Sequence, residues 1–220
     1  MKKIPTLFKR VFDDEHKKSI TDEVTHGCEW ILGDVLGLFA DEKATVKYDG
    51  ACCAIIDGEI YKRYDAKQKY GKTPPEGAIP CQPEPDPITG HWPHWVKCNP
   101  ENPADKYFFE ALHNKLQAMT RGVCGQIVPS LPDGTYEAIG PHWQSNPYHL
   151  TKDTLVRHGK DEIGWGELAD DWGSVGFDSI KDYLSSHKIE GIVFWKDGEP
   201  NCKIKRSDFG FEWPIKGDLK

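Results

Sequence analysis

Lys47 stands where a lysine could act as a nucleophile. It ends the run Ala44-Thr45-Val46, which favours a strand, and it precedes Asp49-Gly50, a pair typical of a tight turn. An amine at this place could attack the α-phosphorus of a nucleotide and form a phosphoramide. The turn would let the backbone approach a phosphate closely. Lys-x-Asp-Gly alone is weak, because it should occur by chance in roughly one chain of this length in twenty. Its meaning depends on the residues that accompany it.

Further charged side chains follow downstream. Lys203 and Lys205 are two residues apart, so both should point to one face of a strand while Ile204 packs inward. Two ammonium groups on one face require an anion, which a triphosphate would supply. Glu190 comes directly before an apolar strand, so its carboxylate should lie at the start of that strand. There it could bind Mg²⁺ directly or through water. The plainer alternatives are a surface lysine beside a turn for Lys47 and a solvated strand-end glutamate for Glu190.

The length and composition indicate a globular, intracellular protein. The chain has 220 residues, of which 38% are hydrophobic and 11% aromatic, and this suits a single domain, 1–220, with a substantial core. No apolar run is long enough to span a membrane, and no secretory signal follows the charged N-terminus. Seven cysteines are an odd number, and we interpret them as reduced thiols of a cytoplasmic protein.

The net charge of −7 argues against indiscriminate coating of nucleic acid. Two segments are basic although the whole chain is acidic. Residues 61–72 carry five basic side chains against Asp65 alone, and Lys203, Lys205 and Arg206 form a second basic cluster. A local basic groove on an acidic protein fits a site that handles phosphates. The alternative is a pair of solvated strand edges.

The pattern of apolar residues predicts strands joined by hairpins. The predicted strands and turns are 51–56, a turn at Asp57-Gly58, 59–64, 134–139, 153–157, 189–195, a turn at Asp197-Gly198, and 201–206. Helices are predicted after the Asn102-Pro103 cap, with Phe108, Leu112, Leu116 and Met119 buried, and over 178–187, with Ile180 and Leu184 inward. The hairpins favour mainly antiparallel sheets, so the fold class is α+β. We expect the 51–64 hairpin to place Lys47 and Arg63 at neighbouring positions of one sheet.

The segment from about 73 to 100 is rich in proline, tryptophan and histidine, and we predict an irregular insertion there. Cys81, His91, His94 and Cys98 lie in it at spacings that could bind zinc, although the spacing is not that of a standard finger. Packing of His91 and the two tryptophans into a loop core is the default interpretation.

Read in order, the motifs resemble those of the covalent nucleotidyltransferase superfamily, which comprises polynucleotide ligases and mRNA capping enzymes. Lys47-Tyr48-Asp49-Gly50 is similar to motif I, and Arg63 to the arginine of the following strand. The later matches are Tyr136-Glu137-Ala138-Ile139-Gly140 to motif III, Glu190-Gly191-Ile192-Val193-Phe194 to motif IV, and Lys203-Ile204-Lys205 to motif V. The matches keep the superfamily's order from Lys47 to Arg206.

Within the superfamily the chain looks most like RNA ligases of the vertebrate-type 5′-to-3′ family. The residues that carry this resemblance are Lys47 to Cys53, Gly90 to Val96, Glu190 to Val193, and Gly210 to Pro214. The passage Glu137 to Pro141, followed by Gln144-Ser145-Asn146-Pro147-Tyr148, resembles RNA ligases rather than DNA ligases. Cys52 stands where many DNA ligases and capping enzymes have an arginine. Little sequence follows Pro214, so we expect no OB-fold domain.

The resemblance implies a role for each matched residue. Lys47, Lys203 and Lys205 would be catalytic, and nearby positive charge from Lys203, Lys205, Arg63 and Mg²⁺ or Mn²⁺ would help Lys47 lose its proton. The nucleotide would be bound by Val46, Lys47, Arg63, Glu137, His158, Lys203 and Lys205, with Glu190 on the metal. Glu137 would bind the ribose, its alternative being a cross-strand ion pair with Arg63 or a lysine. Val46 would offer backbone groups to adenine. His158 is the candidate for stacking on adenine, its alternative being a core or surface histidine.

The implied function is that of an ATP-dependent RNA ligase, active as a monomer, that joins 5′-phosphate and 3′-hydroxyl RNA ends through a lysyl-AMP intermediate. Two alternatives stay open at this point. One is a guanylyltransferase that uses GTP, and the other is a module that binds RNA ends or a nucleotide without turnover. Residues 62–72, together with Trp92 and Trp95, are the candidates for gripping the RNA strand, by phosphate contacts and base stacking.

Overall fold

The computed structural model describes residues 2–12, 14–15, 18–34, 42–67, 70–87, 89–122 and 130–215. The chain forms two compact units. Met1–Lys3 and Asp49–His158 form the first, here called the six-stranded unit, and Ile4–Tyr48 with Gly159–Lys220 form the second, the four-stranded unit. The boundary therefore falls inside the Lys47-Tyr48-Asp49-Gly50 motif.

The described residues form short strands and few helices. The strands are β1 (Phe8–Phe12), β2 (Lys18–Val24), β3 (Gly33–Asp34), β4 (Lys43–Lys47), β5 (Ala51–Ile56), β6 (Glu59–Ala66), β7 (Ile79–Pro80), β8 (Trp92–Lys97), β9 (Gly134–Ile139), β10 (Thr154–Arg157), β11 (Glu162–Ile163), β12 (Ser174–Val175), β13 (Gly191–Lys196) and β14 (Glu199–Lys205). The helices are α1 (Lys106–Gly122), α2 (Trp165–Leu168) and α3 (Phe177–Ser186). Every strand pair in the described sheets is antiparallel, which confirms the mixed α+β class with mainly antiparallel sheets.

The six-stranded unit is one sheet with the strand order β10-β9-β5-β6-β8-β7. The predicted hairpin between β5 and β6 is confirmed, with Asp57 and Gly58 at φ of 52° and 78° in the turn. Both residues lie in the left-handed region, which a primed two-residue turn requires and which aspartate and glycine tolerate best. β6 extends two residues beyond the predicted end.

The amphipathic helix α1 covers this sheet. Asn102 caps its entrance as predicted, since the Asn102 side chain accepts a hydrogen bond from the Ala104 amide at 3.0 Å. The first turn, Pro103–Asp105, is a 3₁₀ turn that leads directly into α1. Phe108 is buried in the core of this unit, and Leu112, Leu116 and Met119 pack against that core, so the predicted apolar face is confirmed.

The prediction that 73–100 is irregular is wrong for two segments. β8 pairs with β6 from Tyr61 to Ala66, and the short β7 pairs with β8. Pro93 is tolerated because β8 lies near the sheet edge, where β7 is paired with it only at Trp95 and His94. The Pro93 carbonyl still accepts a hydrogen bond from the Cys81 amide at 2.9 Å.

The four-stranded unit contains a sheet with the order β11-β4-β13-β14 and two small two-stranded sheets, β1-β2 and β12-β3. Its core is built from the inward faces of β4, β13 and β14 and from α3, whose Ile180 and Leu184 are fully buried as predicted. The second predicted hairpin, β13-β14, is also confirmed, with Asp197 and Gly198 in the turn.

Lys47 and Arg63 do not share a sheet. Lys47 ends β4 in the four-stranded sheet, whereas Arg63 lies in β6 of the six-stranded sheet. The expectation of neighbouring positions in one sheet is therefore wrong. The chain leaves one sheet at Lys47 and enters another at Ala51, and local alternation of apolar residues does not indicate such a change of sheet.

Gly191 lies opposite both Lys47 and Lys205 in the four-stranded sheet. A Cβ at Gly191 would lie 2.1 Å from the Ile204 carbonyl oxygen, a backbone atom that cannot yield without moving β14. Glycine is therefore a steric requirement where the three strands β4, β13 and β14 meet.

Gly191→Ala should destabilise the protein by about 1–3 kcal/mol, the usual cost of overpacking, as measured by urea unfolding. Gly166→Ala is the matched control, because no atom lies within 4 Å of a Cβ there. In the helix α2 alanine should be neutral or stabilising by up to about 1 kcal/mol. Equal unfolding midpoints for Gly191→Ala and the wild type would contradict the close strand contact.

Candidate functional site

Four residues predicted from the sequence come together in the four-stranded unit. Lys47 is the last residue of β4, and Lys203 and Lys205 lie near the end of β14. β13 lies between these two strands, and Glu190 is the residue directly before it. The antiparallel register therefore brings the end of β4, the start of β13 and the end of β14 to the same edge of the sheet.

Glu190 is the centre of this group, here called the lysine cluster (Lys47, Glu190, Lys203 and Lys205). Its side chain is 4% exposed, and its two oxygens contact different ammonium groups. Oε2 accepts a hydrogen bond from Lys47 Nζ, and Oε1 accepts one from Lys205 Nζ. Lys47 Nζ also donates to the Tyr48 carbonyl at 3.3 Å. A buried carboxylate is costly unless it is paired, and here both oxygens are paired.

Lys203 adds a further positive charge to the cluster. Burial, reinforced by the charges of Lys47 and Lys205, lowers the pKa of Lys203 to about 8. Arg10 lies nearby and also opposes the Lys203 charge, but Arg10 is itself paired with the buried Asp208 at 2.9 Å. Two lysines thus share the Glu190 carboxylate and a third lies near them, which leaves an excess of positive charge at this edge of the sheet.

Asp161 fixes the end of β4 next to the nucleophile candidate. Its carboxylate accepts a hydrogen bond from the Tyr48 hydroxyl at 2.8 Å, and its backbone carbonyl accepts one from the Val46 amide at 2.9 Å. The Val46 N–H is therefore already engaged, so a contact between this amide and adenine would require Asp161 to release it. The predicted role of Val46 stays a prediction. Sequence reasoning missed Asp161, which carries no motif.

Glu137 and His158 meet in the six-stranded unit. His158 Nε2 and Glu137 Oε2 are 2.9 Å apart, and His158 Nδ1 is 3.0 Å from the Thr135 hydroxyl. The other Glu137 oxygen, Oε1, accepts a hydrogen bond from the Gly50 amide at 3.1 Å. The partner of Glu137 is thus a histidine and not the arginine or lysine considered as its alternative. The roles of Glu137 on ribose and of His158 on adenine stay predictions.

The Gln144–Tyr148 passage holds the Asp49-Gly50 turn. The Tyr148 hydroxyl accepts a hydrogen bond from the Asp49 amide at 2.6 Å, and Gln144 Nε2 donates to the Gly50 carbonyl at 3.3 Å. Three consecutive non-glycine residues, Gln144 to Asn146, have φ between 45° and 60°, an unusual conformation for such side chains. The sequence resemblance picked out this passage, but its contact with the turn could not be read from the sequence.

Arg63 lies beside Cys52 in the six-stranded unit, and Asp65 neutralises it. Arg63 Nε and Nη2 both donate to Asp65 Oδ1, at 3.1 Å and 3.0 Å. The basic stretch is reduced further because Lys62 forms an ion pair with the buried Asp105. Lys67 lies over the ring of Tyr70, and Lys69 lies outside the described residues. The predicted groove therefore has fewer unneutralised charges than the sequence suggests.

The proposed zinc ligands do not come together. Among the residues that the structure describes, only Cys52, Glu137 and His158 form a group of three or more His, Cys, Asp or Glu side chains with ligand atoms within 4.8 Å of one another. Of the four candidate ligands, His94 Nδ1 is 2.8 Å from the Trp92 carbonyl, and Cys98 is buried in the core. The six cysteines of the described part are free thiols, and Cys124 lies outside it.

A cavity of about 510 Å³ in the four-stranded unit is not suited to a nucleotide. Its wall includes five carboxylate side chains and no lysine or arginine: Glu167, Asp170, Asp171, Asp178 and Asp182. A triphosphate would be repelled there.

Comparison with known proteins adds no family assignment. No family model matches the chain, and no curated protein matches it significantly. No helix in the described part of the chain is both long and apolar enough to cross a membrane.

Lys203→Met should stabilise the protein near neutral pH, because it removes a charge that burial disfavours. The folded pKa of about 8 lies below the ordinary 10.5, so between these values the unfolded chain binds more protons than the folded one. Stability contributed by this site therefore rises with pH across that window. Urea unfolding at several pH values should show the advantage of Lys203→Met over the wild type shrinking as pH rises. A pH-independent difference would contradict the assignment.

Proposed function

We propose that the protein is an ATP-dependent RNA ligase. The observation that carries the proposal is the lysine cluster, in which the motif lysine Lys47 shares the buried Glu190 with Lys205 while Lys203 lies close by. Three ammonium groups around one carboxylate favour a polyanion, and one of them belongs to a motif suited to nucleophilic attack at phosphorus. The order of motifs from Lys47 to Lys205 and their resemblance to RNA ligases support the choice of substrate.

The proposed reaction has three transfers at phosphorus. The unprotonated Lys47 amine attacks the α-phosphorus of ATP, so that an N–P bond forms and pyrophosphate leaves. The 5′-phosphate of an RNA then attacks the same phosphorus, which frees the lysine and leaves AMP on the RNA end. Finally the 3′-hydroxyl of a second RNA end attacks that end's own phosphorus and displaces AMP, which seals the strand. Lys203 and Lys205 would neutralise charge on the phosphates during these in-line displacements.

Glu190 is of the right type to help hold Mg²⁺, since a single carboxylate combined with substrate phosphates is a common Mg²⁺ site. Its two oxygens are engaged by Lys47 and Lys205, so metal binding would have to replace at least one of these contacts. When bound, Mg²⁺ would offset phosphate charge and orient the leaving pyrophosphate. The lysine contact that is not replaced would hold the Glu190 carboxylate in place.

The nucleoside contacts are proposed by resemblance for residues of the six-stranded unit. Glu137 would bind the ribose through Oε2, since Oε1 is engaged by the Gly50 amide. Arg63 would approach the nucleotide from β6, where Asp65 holds its guanidinium. His158 would have to give up its contact with Glu137 in order to stack on adenine.

For the RNA strand we propose contacts by Lys67, Tyr70 and Lys72. Tyr70 is 67% exposed, and Lys67 lies over its ring, so this pair joins a stacking surface to a phosphate contact. Lys67 and Lys72 are paired by a backbone bridge that holds them on one turn. Trp95 is only 7% exposed and is therefore a poor stacking surface, contrary to the role expected from the sequence.

Incubation with ATP and Mg²⁺ should raise the intact mass by one AMP group, and Lys47→Ala should abolish this adduct. Lys47→Arg should fail as well, because a guanidinium stays protonated and cannot attack. Lys205→Met should slow adduct formation by about 100-fold or more, as is typical when one charge-stabilising group is lost.

Lys43→Ala is the matched control for these variants. Lys43 begins the same strand, β4, but it contacts the Gly159 carbonyl at 2.6 Å and Glu162 and is not part of the lysine cluster. Its adduct should form as in the wild type. An adduct that survives in Lys47→Ala would reject Lys47 as the nucleophile, and an adduct formed with GTP but not with ATP would favour a guanylyltransferase.

A nicked or single-stranded RNA with a 5′-phosphate should be sealed, whereas an all-DNA nick with the same ends should not. Contacts to the 2′-hydroxyl distinguish RNA from DNA at a given site. Sealing should fall more steeply with added salt than adduct formation does, because only sealing depends on phosphate contacts along a strand. Gel assays of ligation and adduct formation over a salt series measure both. Efficient sealing of the DNA nick would leave only a general polynucleotide ligase.

A further inference from the structure

Cys52, Glu137 and His158 form a compact group of three different metal-ligand types in the six-stranded unit. The Cys52 Sγ, a Glu137 carboxylate oxygen and a His158 ring nitrogen all lie within 4.8 Å of one another. Cys52 and His158 are partly exposed, and Glu137 is 9% exposed. The proposed ligation reaction gives Cys52 no role. The group therefore calls for a separate explanation.

The sheet places these three side chains together. Cys52 on β5 and Glu137 on β9 are directly opposite each other in the antiparallel register. His158 follows β10, which pairs with the other edge of β9, and its amide donates to the Thr135 carbonyl at 3.1 Å. Directly opposed side chains on one face lie close together, and diagonal neighbours remain within reach. Two of the three side chains thus lie on the central strands β5 and β9, and His158 lies on the turn directly after the edge strand β10.

We propose that Cys52, Glu137 and His158 bind a thiophilic divalent cation, with Zn²⁺ as the best match. Sulfur, imidazole nitrogen and a carboxylate oxygen are the ligand types that Zn²⁺ accepts, whereas Mg²⁺ prefers oxygen alone. Three protein ligands leave a fourth position for water or another ligand. This ion would be distinct from the Mg²⁺ proposed for Glu190.

The surroundings of His158 and Glu137 suit ligation. The Thr135 hydroxyl lies against His158 Nδ1 and can fix the ring orientation while Nε2 faces the other two ligands, as second-shell partners of metal-bound histidines commonly do. Glu137 Oε1 is occupied by the Gly50 amide, so Oε2 is the oxygen left for the ion. The ion would replace the hydrogen-bonding proton between His158 Nε2 and Glu137 Oε2.

Cys52 must lose its proton to bind the ion, and the metal-free site resists this loss. Burial and the charge of Glu137 raise the pKa of the Cys52 thiol to about 12, although Arg63 acts in the opposite direction. A divalent cation would supply the missing positive charge, so that the proton leaves to solvent when the S–metal bond forms. Arg63 also repels a cation, but Asp65 partly offsets its charge.

One consequence rests on the proposed function. An ion on Glu137 Oε2 and His158 Nε2 would occupy the groups proposed to bind the nucleoside, so Zn²⁺ should inhibit adduct formation. The metal site itself does not depend on that function and is tested without ATP.

The primary experiment is a Co²⁺ titration of the reduced, metal-free full chain, followed by near-ultraviolet absorption. Thiolate-to-cobalt charge transfer should appear with one equivalent of Co²⁺ and disappear when Zn²⁺ is added. Cys52→Ser should remove the band and weaken Zn²⁺ binding by more than about 100-fold, since even second-shell changes cost 10–100-fold. The control is Cys53→Ala, because Cys53 is adjacent in sequence but fully buried and outside the group.

Circular dichroism checks that each variant is folded, and His158→Gln provides a second ligand variant that leaves the thiol in place. Weakened Co²⁺ binding in His158→Gln together with loss of the band in Cys52→Ser supports the site. The proposal is overturned if the wild type gives no band, or if Cys52→Ser gives the same band as Cys53→Ala.

Adduct formation in Mg²⁺ and ATP, with and without Zn²⁺, then tests the consequence for catalysis. Wild-type adduct yield should fall by about tenfold or more with Zn²⁺, and Cys52→Ser should resist the inhibition. If no adduct forms under any condition while the cobalt band is present, the proposed ligase function fails and the metal site stands. Equal inhibition of the wild type and Cys52→Ser would reject competition at this site.

Discussion

The buried carboxylate of Glu190 is the constraint on which the candidate site depends. A carboxylate that is only 4% exposed is unfavourable unless it is paired, and Lys47 and Lys205 each pair with one of its oxygens. These partners come from β4 and β14, on the two sides of β13, so the ion pairs require one particular register of three strands. Gly191 permits that register, because any side chain there would strike the Ile204 carbonyl. Packing and charge thus require the same arrangement.

This pairing leaves the cluster incompletely compensated. Glu190 can neutralise one charge, yet three lysines, Lys47, Lys203 and Lys205, lie around it. Burial, followed by the charges of Lys47 and Lys205, lowers the pKa of Lys203. Perturbed pKa values cluster at functional sites, and this supports the choice of the lysine cluster as the candidate site. The net charge of −7 does not oppose this interpretation, because charges separated by more than about 10 Å are largely screened in 0.1 M salt. The charges close to a site therefore determine which ions it attracts. In the same unit, the acidic wall of the cavity near α3 would repel anions.

The sequence predicted what depends on local pattern and missed what depends on pairing between distant strands. Turn residues such as Asp57-Gly58 and the apolar spacing of α1 identify their elements because the signal lies within a few residues. The lysine cluster could be predicted only from the order of the motifs along the chain. That order resembles a known superfamily, and the resemblance implies which distant residues lie together. The assignment of Lys47 and Arg63 to one sheet failed at a change of sheet that spans three residues. The strand β8 was missed because Pro93 argues locally against a strand, although a sheet edge tolerates it.

Glu137 shows how one side chain can be shared between structure and binding. Its Oε1 holds the Gly50 amide, and a Cβ at Gly50 would lie 2.1 Å from the Ala138 carbonyl oxygen, so the turn is held tightly against β9. Its Oε2 is directed to His158 and is the only oxygen of Glu137 that a ligand could use without disturbing the turn. A ribose hydroxyl and a metal ion would both need this oxygen. The two ligands should therefore exclude each other while the Asp49-Gly50 turn keeps its conformation in either state.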